Sequence, residues 1–154
     1  MSYPLNPFQD TVSLKPIVYT LGYLGLVPFV GLSLLTGLEI KLFESQHFML
    51  ISYAAIILSF MGAIHWGTSM CINEKISVIM LVVSVMLALL AWAALLLPAM
   101  YSYQLLIVSF SVLCIVDHYL LPIQHYQRWY LNMRVALTTI VVLCLVVSAY
   151  LGSM

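Results

Sequence analysis

Residues 76–97 read ISVIMLVVSVMLALLAWAALLL, preceded by Asn73, Glu74 and Lys75 and followed by Pro98. As a helix rising ~1.5 Å per residue, about 20 uncharged apolar residues cross a ~30 Å hydrocarbon layer. Only Ser77 and Ser84 interrupt the apolar character, and they do not leave one face polar. A helix greasy on every side has lipid as its solvent. The polar turn at Asn73, Glu74 and Lys75 separates it from a second such run at residues 47–70. Beyond Pro98 a short break over residues 98–102 precedes a run at 103–121, which Pro122 stops. His125, Arg128, Trp129 and Tyr130 then read as an interfacial anchor belt ahead of the last run, 131–152.

Upstream, residues 17–38 form the first span, with Gly22, Gly25 and Gly31 around Pro28. A mid-helix proline removes a backbone hydrogen bond, so this span is expected to bend near Pro28. Glu39, Lys41 and Glu44 mark the loop after it, and residues 1–16 read as a short extended N-terminal cytoplasmic tail. The expected fold is therefore an all-α integral membrane bundle of about five transmembrane helices, with one transmembrane domain over residues 17–152. No secretory cleavage pattern follows the first apolar run, so it is expected to stay as an anchor.

Composition agrees. Of 154 residues, 64% are apolar and 6% charged, too few charges to coat a water-facing globule, and mean hydropathy is +1.12. The spans use nearly the whole chain, leaving no room for a soluble catalytic domain. Net charge is zero without a basic run, which argues against nucleic acid as a partner. Cys71, Cys114 and Cys144 share no metal or redox spacing, and the last two lie in apolar runs as small hydrophobes. Lys15, Lys75, Arg128 and Arg134 fall on one side of the membrane and Lys41 alone on the other. Positive residues stay inside, which puts the N-terminus inside and the C-terminus outside.

The residues that do not belong in lipid are His65, Asp117, His118 and Arg134. A charge at the bilayer centre costs ~2.5–3.5 kcal/mol on insertion scales, so such groups face the bundle and pair. All four sit near the inner ends of three spans, and with Trp66 they form a candidate intramembrane polar cluster. Asp117 and Arg134 are the expected ion pair, and Arg134 near a helix end is also placed to snorkel toward the headgroups. At ~100° per residue, Ser52, Ala55, Ser59, Gly62, Trp66 and Ser69 make one small-residue stripe, with His65 at its edge. Arg134, Thr138, Val141, Leu145, Ser148 and Gly152 make another, and Gln104, Ser111 and His118 align in the fourth span.

Beside a purely structural staple, this cluster admits haem ligation by His65 and His118, a quinone or lipid-headgroup pocket, and proton or solute transport. Hydrolase motifs are absent, and no catalytic residue, metal site or cofactor is expected.

Three segments carry a resemblance: LGYLGLVPF at residues 21–29, LSFMGAIHWG at 58–67 and WYLNMRVALT at 129–138, with Asp117 between the last two. Together they resemble the bacterial and mitochondrial membrane family called domain of unknown function 3429, the transmembrane protein 69-like membrane proteins. The resemblance implies a multi-span protein of bacterial inner (plasma) membranes or of the mitochondrial inner membrane, and supplies no mechanism. Some relatives carry arginine at the position of His65, which favours a hydrogen-bond donor over a haem ligand.

The functional expectation is a non-catalytic accessory or assembly helper for a larger membrane complex. Its partners are membrane lipids and that complex, and a homo-oligomer is compatible. Stripes such as Ser77, Ser84, Ala88 and Ala91 offer close-packing faces for it. The alternative is a small-molecule binding or transport protein working through the inner His/Asp/Arg cluster.

Overall fold

A computed structural model describes residues 11–38, 40, 45–71, 76–120 and 128–151. In chain order the helices are α1 (Thr11–Leu24), α2 (Val27–Gly37), α3 (Gln46–Cys71), α4 (Ile76–Leu96), α5 (Ala99–Leu120) and α6 (Arg128–Leu151). Five segments are long and apolar enough to cross a membrane, with α1 and α2 together supplying the first. The loop residues Glu39, Lys41 and Glu44, the turn at Asn73, Glu74 and Lys75, and Pro122, His125 and Gly152 lie outside the described residues.

The first span is two helices, broken ahead of Pro28. Gly25 N still donates to Leu21 O at 3.0 Å, but Leu26 N turns back to Tyr23 O, also at 3.0 Å. That tighter i to i−3 bond ends α1. Pro28 then falls in the first turn of α2, where its missing N–H breaks no ladder. A carbonyl freed by a break needs a donor from a neighbour in lipid, and Tyr53 Oη on α3 donates to Gly25 O at 2.9 Å. The start of α1 also differs from the expectation. Residues 11–16, read as extended tail, are helical, with Pro16 inside α1.

The break around Pro98 is shorter than expected, because α5 resumes at Ala99. Ser102 explains how so tight a turn closes. Its hydroxyl lies 2.7 Å from Ala94 O, in the last turn of α4, and 3.0 Å from Leu97 O, just beyond the helix. Carbonyls at a helix end have no partner within their own helix.

Four of the elements close a ring: α2 packs on α3, α3 on α5, α5 on α6 and α6 on α2, while α4 lies outside against α3 and α5. Phe29, Leu58, Leu106, Phe110 and Leu145 fill the core from the four ring helices. The Phe29 ring lies edge-on to Tyr53 at 5.0 Å and to Phe110 at 6.4 Å between centroids. Between α3 and α4 the approach is close at Gly62, where a Cβ would meet Leu87 Cβ at 3.1 Å and Ser84 O at 3.4 Å. Gly62 and Ser84 are thus used inside the chain, and Ala88 turns outward. Of the small residues expected to offer close-packing faces, Gly62 and Ser84 meet each other across α3 and α4.

Candidate functional site

Adjacent residues on a helix point ~100° apart, so of each neighbouring polar pair only one can face the ring. In α3 it is His65, which is fully buried, while Trp66 is 46% exposed on the outer surface. In α5 it is Asp117, 3% exposed, while His118 faces out against the ring of Tyr119. The inward line of α5 runs Tyr103, Leu106, Phe110, Leu113, Asp117, one residue away in phase from the expected Gln104, Ser111, His118. The carboxylate takes the interior because a charge has most to lose in hydrocarbon. His65, Asp117 and Arg134 therefore come together, and Trp66 and His118 do not join them.

Arg134 reaches across from the second turn of α6 and is 2% exposed. Its Nε donates to Asp117 Oδ2 at 2.7 Å, and its Nη2 donates to the same oxygen. Its Nη1 points to Met61 Sδ at 3.3 Å, and its guanidinium carbon lies 5.9 Å from the centroid of the Tyr130 ring. His65 Nε2 lies 2.9 Å from Asp117 Oδ1, off the direction a ring N–H takes to make a hydrogen bond. His65 Nδ1 has no partner among the described residues. The three side chains join α3, α5 and α6, and water and lipid are excluded from all of them. With His65 neutral the set carries no net charge, the condition for burying it at tolerable cost. Among the described residues no group of His, Cys, Asp or Glu could hold a metal. Haem ligation by His65 with His118 finds no geometry here, since the two rings lie on opposite sides of the bundle wall.

A family profile, described as protein of unknown function (DUF3429), matches residues 14–150. The chain belongs to this family. It is similar to transmembrane protein 69 of Xenopus tropicalis, 33% identical over 150 residues, covering 96% of this chain and 58% of the relative. The chain thus spans a little over half the length of that curated relative. No solved structure matches.

The three segments that carried the family resemblance hold separate parts of this geometry. LGYLGLVPF contains the break in the first span. In LSFMGAIHWG, Leu58, Gly62 and His65 face inward, whereas Ala63, Trp66 and Gly67 face outward. WYLNMRVALT supplies Arg134, and its Trp129 stacks on Tyr19 of α1 at 5.4 Å with Lys15 Nζ 5.5 Å above the ring. Met61 and Tyr130 were missed in the sequence. Each stands four residues before a cluster member, His65 and Arg134 respectively, and that spacing puts them on the same helical face. At the far end of the bundle His47, to which the sequence assigns nothing, has its Nδ1 2.9 Å from the hydroxyl of buried Tyr103. A buried phenol needs such a partner.

Proposed function

We propose that this protein is a non-catalytic helper that holds a larger membrane assembly, in a bacterial inner membrane or the mitochondrial inner membrane. The end carrying Lys15 and Arg128 faces the cytoplasm or matrix, following the retention of positive residues on that side. The observation that carries this reading is the closure of the polar set. His65, Asp117 and Arg134 are 0%, 3% and 2% exposed, so none is offered to a substrate in water or at the headgroups. They act on the bundle itself, as a staple across α3, α5 and α6.

What remains for a partner is the outer surface, and one part of it differs from plain lipid-facing helix. On α3, Ala63 and Gly67 are exposed one turn apart beside Trp66, and a Cβ at Gly67 would meet nothing within 4 Å. Small residues at this spacing let another helix approach closely. A headgroup pocket built from His65, Trp66, Asp117 and Arg134 has less support, because Trp66 faces away from the other three.

The test is gentle crosslinking of the full chain in its own membrane. Wild type is expected to give a defined crosslinked species that Ala63→Leu and Gly67→Leu abolish with helicity and melting unchanged. Val82→Ala, on the exposed face of α4, leaves it intact. A chain that runs alone under the same conditions overturns the reading.

A further inference from the structure

We propose that the pocket between the break of the first span, α3, α5 and α6 is a binding site for a neutral quinone-like molecule, a flat ring with a carbonyl oxygen on an apolar tail. The site is a cavity of about 130 Å³ lined from every ring helix, by Leu26 and Phe29, Ile57 and Met61, Phe110, and Leu137. An apolar cavity of ~150 Å³ accommodates a benzene-sized guest, so a single six-membered ring is the right scale. Phe29 and Phe110 present aromatic surface to it. The mouth opens toward lipid between Leu21 and Phe60, which line the cavity and are 64% and 66% exposed. A guest therefore enters sideways from the bilayer and leaves its tail there.

A second observation gives the guest its oxygen. The guanidinium of Arg134 commits Nε and Nη2 to Asp117, but among the described residues the acceptor for Nη1 is the thioether of Met61, at 3.3 Å. Sulfur is a weak acceptor, and a charged donor nearly sealed in hydrocarbon is left short of a partner. Met61 is also a wall of the cavity. Its unbranched side chain has the freedom to swing aside, which lets a carbonyl oxygen in the cavity take the Nη1 hydrogen. Charge decides the oxygen's type. Asp117 and Arg134 already neutralise one another, so a carboxylate would add an uncompensated buried charge and a neutral carbonyl would not. The proposal concerns binding alone.

The experiment equilibrates the full chain in lipid nanodiscs with a benzoquinone carrying a decyl chain and measures bound probe against empty discs. Decylbenzene, with the same ring and tail but no carbonyl, is the control. The quinone is expected to saturate at one per chain and to bind about tenfold more tightly than decylbenzene, as one hydrogen bond to a charged donor provides. Ile57→Phe fills the cavity and abolishes saturable binding. Met61→Leu removes the competing sulfur and strengthens binding, a readout that survives if the first variant does not fold. Equal affinity for quinone and decylbenzene, unsaturable uptake, or indifference to both substitutions overturns the site. Methyl decanoate binding as tightly as the quinone assigns the cavity to ester lipids and overturns the ring-shaped guest.

Discussion

Arg134 binds one carboxylate oxygen through two nitrogens, and that arrangement makes the pair dependent on each partner being present. Removing either Asp117 or Arg134 leaves a lone charge in hydrocarbon, which costs ~3–5 kcal/mol for a fully buried pair. Removing both removes the problem along with the bond. Asp117→Ala and Arg134→Ala are therefore each expected to lower unfolding stability in mixed micelles by about that amount, and the double variant by clearly less than the sum. Additive losses would show that the two side chains do not interact. The pairing itself was legible from residue type, since an isolated intramembrane aspartate and an isolated arginine near matched depth have few other options. Which member of His65–Trp66 and of Asp117–His118 turns inward was not. Two neighbours differ by ~100° of helical phase, and only the packing of the other helices selects between them.

At the scale of elements, α3 and α4 touch through Gly62, and this contact sets how near the two axes lie. Replacing Gly62 with alanine places a methyl 3.1 Å from Leu87 Cβ, a tight contact with the least mobile part of that side chain. Gly62→Ala is expected to cost ~1–3 kcal/mol by overpacking, whereas Gly67→Ala, whose added methyl meets open space, leaves the isolated chain's stability nearly unchanged. Melting temperatures of the two variants in the same detergent check this, and equal losses would contradict the packing. The runs at residues 47–70 and 76–97 were plain in the sequence because lipid demands long uninterrupted apolar helices. The ends of elements were less so. The break in the first span was expected at Pro28 and lies ahead of it, because a proline is comfortable in a first helical turn and the chain can use it to begin α2. The start of α1 at Thr11 was hidden because residues 11–16 show no apolar period, and a helix leaving the bilayer does not require one.

For the molecule as a whole, five segments are long and apolar enough to cross a membrane, and an odd number of spans would leave the two ends of the chain on opposite sides. Reporter fusions at residue 43 and at the C-terminus are both expected to report the outer compartment, and a cytoplasmic signal from either contradicts the proposed orientation. On the proposed helper reading, such a bundle acts on what touches its sides. The proposed partner face was the least legible feature, because small residues in the sequence read alike whether they pack inside the chain or face out, and only the fold separates Gly62 from Gly67. The most direct test of the helper reading is native mass spectrometry of the chain released from its own membrane. The account predicts wild type bound to one defined protein partner and Gly67→Leu released from it with Arg134 and Asp117 intact. Wild type appearing as a lone chain would contradict it.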